Sequence, residues 1–285
     1  MLNKILLADA GTGQAEQMLD KLLEMPTLRS ANVTVLNVVP EKNNAEDMAA
    51  QREEAAKILA KTVQTFHLED RDILSINTMI REGDPKVEVC RAADEIDADL
   101  IIMGSRGLKR LRSILENSVS QYVFQLSSHP MLLVKDDIFI KRIKRVMVAL
   151  NPSASSQAGL NLAARLLRDV QGGQLILTHV SKQFTSSAKL ADSDAQEDPV
   201  LSEGIKLAKR EGLGYQCYAG TGKAGESICQ LAEASNADLL VMGSPDRRPS
   251  IARSLVDLDR LLGSSVSDYV RVNTPCPVLF VRQKE

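Results

Sequence analysis

Two glycines and an Asn-Ser pair are the clearest candidates for chemistry in this 285-residue chain. The apolar run 100–103 leads into Gly104 and Gly107. After nine further residues, Asn117 and Ser118 open a second apolar pattern. Glycines let main-chain N–H groups approach an anion closely, and the free N–H groups and dipole at a helix start favour phosphate. The spacing fits a phosphate site at the end of a strand, although a tight turn and an N-cap would use the same residues.

Cationic side chains follow the first glycine. They are Arg106, Lys109, Arg110 and Arg112. Guanidinium and ammonium groups could screen a triphosphate, but a solvated loop carries the same residue types. Both interpretations stay open, and we assign only Arg106 to the phosphates because it lies between the two glycines.

The second half of the chain repeats the first. The matched segments are 4–8 with 145–149, 33–39 with 175–181, 83–105 with 222–244, 118–123 with 265–270, and 130–135 with 277–282. Order and spacing are kept nearly throughout, so the chain is a tandem duplication with its seam near 136–144. We therefore expect two domains, 1–138 and 139–285.

Each half alternates short β-branched runs with longer helical patterns, which predicts βαβ units around a parallel sheet. In the first half the predicted strands are 4–9, 32–38, 73–80, 99–103 and 131–134, and the predicted helices are 14–25, 45–66, 84–96 and 117–127. In the second half, the polar segment 181–204 predicts a mobile loop, and the insertion within 245–262 predicts a short added helix.

Composition excludes several classes of function. A net charge of -2 with 3% aromatic residues disfavours nucleic acid as the main partner. No apolar run approaches the roughly 20 residues that span a bilayer, and the start of the chain lacks a signal-peptide pattern, so we expect a cytoplasmic protein. The four cysteines and three histidines show no metal-ligand spacing, so we expect no metal site and thiols that serve packing.

The glycine stretch resembles the nucleotide motif of universal stress proteins, G-x-x-G-x9-G-S/T, with Asn117 in place of the third glycine. "REGDP", "ADLIIMGSRG" and "HPMLLV" follow the family's order in the first half, and "AGTG", "ADLLVMGS" and "TPCPVLFV" repeat it in the second. The resemblance covers essentially the whole chain. It implies an α/β fold of two consecutive Rossmann-like (adenine nucleotide alpha hydrolase-like) domains, each a five-stranded parallel sheet of order 3-2-1-4-5 flanked by helices.

The same resemblance implies ATP or a related adenine nucleotide as ligand, with or without Mg2+. In the first half Asp9 would meet the adenosine, one residue earlier than in the family's V-D-G-S pattern, and Val39 would offer backbone groups to the adenine edge. The remaining positions would hold the phosphates or lie beside them: Met103, Gly104, Arg106, Gly107, Asn117, Ser118, Val119 and Ser120.

The second half departs further from the family pattern. Asn151 replaces the acid after the first strand, and Asp246 replaces the second glycine. A carboxylate at a phosphate position repels the ligand, so we expect a weaker second site. Its residues would be Asn151, Gly243, Ser264 and Ser265.

We expect a binding protein and not an enzyme, with no catalytic residues. The sequence has no Walker lysine motif, no nucleophile elbow and no histidine beside the glycine loop. His179, at the end of a strand, is best explained as a buried, hydrogen-bonded residue. Two functions remain: a nucleotide-responsive stress-response regulator, and an interaction scaffold whose sites are relics.

The fifth strands predict one further contact. Segments 131–135 and 278–282 are apolar edge strands that need cover, so we predict that the two halves pair through them. A homodimer of chains and an unknown protein partner remain open.

Overall fold

The computed structural model describes residues 2–66, 75–105, 118–244 and 265–282. The chain divides into two compact units. Unit 1 comprises residues 1–24 and 28–137, and unit 2 comprises residues 25–27 and 138–285.

Unit 1 alternates strands and helices in the order that the periodicity predicts. The elements are β1 (Lys4–Ala8), α1 (Gln14–Leu23), β2 (Asn32–Val39), α2 (Ala45–Thr65), β3 (Ser75–Glu82), α3 (Pro85–Glu95), β4 (Leu100–Ser105), α4 (Val119–Leu126) and β5 (Met131–Lys135), with a 3-10 turn at Pro26–Leu28. Neighbouring strands are parallel and run in the order β3-β2-β1-β4-β5. The prediction of an α/β fold with a parallel sheet is confirmed.

Side-chain caps fix where the helices of unit 1 begin. Asn44 accepts a hydrogen bond from the N–H of Glu46 at the start of α2, and Asp84 accepts one from Lys86 at the start of α3. Ser118 caps α4 in the same way. These polar residues satisfy N–H groups that a helix leaves without intrahelical partners, so local sequence specifies where these three helices begin.

Unit 2 repeats this plan with one addition. Its elements are β6 (Arg145–Leu150), α5 (Ala154–Leu167), β7 (Gln174–Val180), β8 (Ala188–Lys189), α6 (Asp192–Glu197), α7 (Pro199–Arg210), β9 (Gly214–Gly220), α8 (Ala224–Ala234), β10 (Leu239–Gly243), α9 (Val266–Asn273) and β11 (Val278–Val281). Five strands are parallel, in the order β11-β10-β6-β7-β9. The two-residue β8 adds an antiparallel sixth strand beside β9, where five strands were predicted.

The prediction of a loop over 181–204 is wrong for most of that segment. Asp198 accepts hydrogen bonds from the N–H groups of Val200 and Leu201, which starts α7 six residues before the predicted loop ends. Leu201, Ile205 and Ala208 are buried along one face of this helix. The polar composition concealed the helix because its apolar positions are few, although they keep helical spacing.

Two further expectations concern an added helix in unit 2 and membrane-spanning segments. The added helix within 245–262 lies outside the described residues. None of the helices in the described part of the chain is long and apolar enough to cross a membrane.

Candidate functional site

A cleft of about 500 Å³ opens in unit 1 at the carboxyl ends of β1, β2 and β4. The starts of α3 and α4 contribute Pro85 and Ser118 to its wall. The strand order reverses between β1 and β4, because β2 and β3 lie on one side of β1 while β4 and β5 lie on the other. Open α/β sheets bind ligands at this switch point, so the topology alone makes the cleft the first candidate for a site.

The structure brings most of the predicted positions together. Those that line the cleft are Asp9, Met103, Gly104, Ser118, Val119 and Ser120. Val39 is not among the lining residues, and its carbonyl accepts a hydrogen bond of 3.0 Å from the N–H of Gly83, while the preceding Val38 lines the cleft. Arg106, Gly107 and Asn117 lie outside the described residues.

The start of α4 forms the polar end of the cleft. Ser118 is the N-cap, and its Oγ accepts a hydrogen bond of 3.3 Å from the N–H of Gln121. The hydroxyls of Ser118 and Ser120 lie 3.5 Å apart. The N–H groups of Val119 and Ser120 come before the first intrahelical bonds, so this helix start offers main-chain donors and the positive end of a dipole to an anion.

Gly104 leaves open space at the floor of the cleft. A Cβ built at this position would have one neighbour within 4 Å, Oγ1 of Thr12 at 3.4 Å. The next residue, Ser105, has a buried Oγ with no hydrogen-bond partner among the described residues. A polar ligand could approach the backbone at Gly104 closely and form a hydrogen bond with the hydroxyl of Ser105.

The carboxylate of Asp9 is already bonded within the protein. Its Oδ1 accepts a hydrogen bond of 2.6 Å from the N–H of Gly11, and its Oδ2 accepts one of 2.5 Å from the hydroxyl of Thr62. The amide of Asn37 donates to the Asp9 carbonyl at 2.9 Å. Asp9 therefore joins β1 to β2 and α2, a structural role that the resemblance did not predict.

Glu16, in the first turn of α1, lies beside this carboxylate. The pKa of Glu16 is raised to about 8, chiefly by burial and in addition by a hydrogen bond to Asp9 and by the negative charge of Asp9. The backbone N–H groups of Glu16 and Gly13 act against this rise. At neutral pH Glu16 is therefore mostly protonated, since a second negative charge in this buried place would be costly.

The motif did not predict five other polar residues of the cleft: Thr12, Gln14, Asn37, Ser105 and Asp136. Asn37 and Ser105 lie near the carboxyl ends of β2 and β4, and the others come after β1 or β5, so the rule that ligands bind at this edge could have found them. Asp136 adds a carboxylate, and negative charge at this position opposes a phosphate that carries no counterion. The described lining contains no histidine, lysine or cysteine that could serve as a base or nucleophile.

Unit 2 has a smaller cleft of about 330 Å³ in the corresponding place. Three of the positions predicted for the weaker site, Asn151, Gly243 and Ser265, line it, and Ser264 lies outside the described residues. A Cβ at Gly243 would lie 2.5 Å from the backbone nitrogen of Ser156, so this glycine permits the start of α5 to pack closely on β10.

His179 does not line either cleft. Its Nδ1 lies 2.9 Å from Oδ2 of Asp198, and its ring packs edge-on against Phe184 with 5.8 Å between ring centroids. The sequence predicts a buried, hydrogen-bonded histidine; the hydrogen bond is present, but the residue is only partly buried.

Comparison with known proteins agrees with the fold and the repeat. The model of the universal stress protein family matches residues 1–135 and again residues 142–282. Universal stress protein YxiE of Bacillus subtilis is 28% identical over 151 residues, which cover 47% of this chain and 100% of that protein. Universal stress protein MJ0577 of Methanocaldococcus jannaschii is 27% identical over 155 residues, covering 47% of this chain and 96% of that protein.

A solved structure matches over the full length. The crystal structure of a universal stress protein from Archaeoglobus fulgidus has a TM-score of 0.75 and 21% identity, and the match covers 100% of this chain and 98% of that chain. At this identity the likeness shows the fold. Together with the two family matches, it identifies the chain as a member of the universal stress protein family with two tandem repeats of the family's domain.

Proposed function

We propose that unit 1 binds ATP or a related adenine nucleotide in its cleft, and that the protein is a cytoplasmic stress-response regulator whose partner reads the bound state. One observation carries this proposal: Gly104 and the start of α4 meet at the switch point of a parallel sheet. In the proposed pose the phosphates lie against Gly104 and the N–H groups of Val119 and Ser120, where the helix dipole favours negative charge.

The remainder of the cleft suits a base and a sugar. Leu36, Val89 and Met103 supply buried apolar surface, on which a planar base can pack. Asn37 and Val38, at the end of β2, place an amide and backbone groups beside it. The ribose then lies between base and phosphates, near Thr12.

Charge in the unit 1 cleft favours a nucleotide that carries magnesium. Asp136 lines the same cleft, and the negative charge of its side chain would oppose phosphates bound there. A divalent cation carried by the nucleotide offsets that repulsion. We therefore propose that the cleft takes the Mg2+ complex of ATP in preference to the free nucleotide.

The scaffold alternative has one observation in its favour. Both carboxylate oxygens of Asp9 have partners within the protein, in Gly11 and Thr62, so its side chain has less capacity left for a ribose or adenine. If the cleft is a relic, no adenine nucleotide binds at millimolar concentration. We further propose domain boundaries at 1–138 and 139–285, and the pairing of the two halves through their fifth strands stays a prediction from sequence.

Nucleotide content and ligand linkage test the proposal. Heat extraction of the purified protein, followed by absorbance and mass measurement, shows whether a nucleotide copurifies. ATP with magnesium is then added at increasing concentration, and the melting temperature is followed. A ligand at 100 times its Kd stabilises by about 2.7 kcal/mol. Absence of both a copurified nucleotide and a rise in melting temperature would leave the scaffold function.

A further inference from the structure

The cleft of unit 2 differs in charge from that of unit 1. Asp9 and Asp136 line the unit 1 cleft, whereas the described lining of the unit 2 cleft has no charged side chain. Its walls are mainly apolar, from Leu150, Ile228 and Met242, all of which are buried. A site of this kind fits a small uncharged ligand with a few hydrogen-bonding groups.

A buried hydroxyl without a partner lies in this cleft. Thr178 is 1% exposed, and its Oγ1 has no hydrogen-bond partner among the described residues. It stands opposite Ala149 in the sheet, as Leu36 stands opposite Ala8 in unit 1. Leaving a buried hydroxyl without a hydrogen bond is unfavourable. The repeat has thus replaced an apolar residue by a polar one at the floor of the second cleft, and a bound ligand would satisfy it.

The start of α9 is unsuited to phosphate. Oγ of Ser265 donates to Oδ2 of Asp268 at 2.7 Å and accepts from the N–H of Asp268 at 3.1 Å. In unit 1 the corresponding residue is the neutral Gln121. The Asp268 carboxylate therefore occupies the first turn of α9, where it already neutralises the positive end of the helix dipole and would repel a phosphate.

We propose that the unit 2 cleft binds an uncharged nucleoside, a base with its sugar and no phosphate, with Thr178 as the hydroxyl that selects it. The choice of a nucleoside rests on the proposed function, because the two clefts are repeats and unit 1 is proposed to take an adenine nucleotide. The unit 2 cleft is also smaller than the unit 1 cleft, 330 against 500 Å³.

Calorimetric titration with adenosine, in the presence of saturating Mg-ATP, tests the proposal on the full chain. Wild type is expected to bind one adenosine per chain that ATP does not displace. Thr178→Val removes the hydroxyl at nearly constant volume and is expected to weaken adenosine binding at least tenfold without lowering the melting temperature. Thr178→Ser keeps a hydroxyl and is expected to retain binding within about threefold.

A charge variant gives a second readout. Asp268→Gln copies the residue of unit 1, so it is expected to raise the number of ATP molecules bound per chain from one to two. The proposal is overturned if Thr178→Val binds adenosine as wild type does, or if ATP displaces all the adenosine. If ATP does not bind wild type while adenosine binds and depends on Thr178, the nucleotide function of unit 1 fails and the unit 2 site stands.

Discussion

The hydroxyl of Thr62 donates a hydrogen bond of 2.5 Å to Oδ2 of Asp9, joining two residues that are 53 positions apart in sequence. Thr62 lies in α2 and Asp9 follows β1, so the bond anchors a helix to the strand end that borders the unit 1 cleft. Both residues are buried. A charged acceptor in a buried place makes this contact a larger contribution to stability than an exposed hydrogen bond.

Thr62→Val is expected to destabilise the protein by about 1.5–3 kcal/mol, because it leaves a buried carboxylate without one of its donors. Urea denaturation measures the change. Thr65→Val is the matched control. Thr65 is exposed, and its hydroxyl donates a hydrogen bond of 2.7 Å to the neutral backbone carbonyl of Thr62. The control is expected to cost less than about 0.5–1 kcal/mol. Equal decreases in the free energy of unfolding in the two variants would show that the bond to Asp9 stabilises the protein no more than the exposed hydrogen bond does.

Glu16→Gln is expected to remove a pH dependence of stability. The pKa of Glu16 is raised to about 8 in the folded protein, from 4.5 for the free side chain. Between these values the folded state holds a proton that the unfolded state has lost, so wild-type stability falls as pH rises towards 8 and levels off above it. For one proton the slope approaches about 1.4 kcal/mol per pH unit. Gln cannot ionise but can donate to Asp9, so the variant keeps the contact.

Denaturation series at several pH values between 5.5 and 9 measure this difference. Wild type should lose stability over the lower part of the range, and Glu16→Gln should be nearly flat there and more stable than wild type at pH 9. Parallel profiles for the two proteins would exclude a raised pKa for Glu16 in the folded protein.

Gly104→Ala and Gly243→Ala are expected to have opposite consequences, although the two glycines are equivalent in the repeat. At Gly104 a new Cβ has one neighbour, Thr12 Oγ1 at 3.4 Å, so the variant should keep wild-type stability and lose ATP affinity. At Gly243 a Cβ would lie 2.5 Å from the nitrogen of Ser156, so that variant should be destabilised by about 1–3 kcal/mol.

Melting curves with and without Mg-ATP separate these effects. Without ligand, the Gly104→Ala protein should have the melting temperature of wild type. On addition of ATP, its melting temperature should rise by less than that of wild type. A full ligand-induced rise in Gly104→Ala would place the nucleotide elsewhere in the molecule.

Asp136→Asn is expected to raise the affinity for metal-free ATP severalfold, on the order of 1 kcal/mol, because it removes a carboxylate from the cleft. The gain should be smaller for the magnesium complex, in which the metal already offsets the repulsion. Titration of wild type and variant with ATP, in EDTA and in magnesium, measures both values. A loss of affinity in both conditions would assign Asp136 a direct contact with the ligand.

Local sequence patterns were sufficient to predict the elements of unit 1. Buried apolar runs such as 100–103 specify strands, and Asp84 with Pro85 marks the start of α3, because propensity and capping act over a few residues. The glycine spacing and Ser118 also predicted which strand end and which helix start meet. The order of the strands came from the family resemblance, and the parallel pairing in the structure agrees with it.

The direction and partners of side chains were decided by tertiary structure. Nothing near Asp9 in sequence indicates that Thr62 donates to its carboxylate, because this partner comes from a helix that only the fold brings to it. The unpaired hydroxyl of Thr178 is likewise a property of burial. Periodicity reports which face of an element is apolar, whereas hydrogen bonding and desolvation depend on distances between elements far apart in the chain, and these exist only after packing.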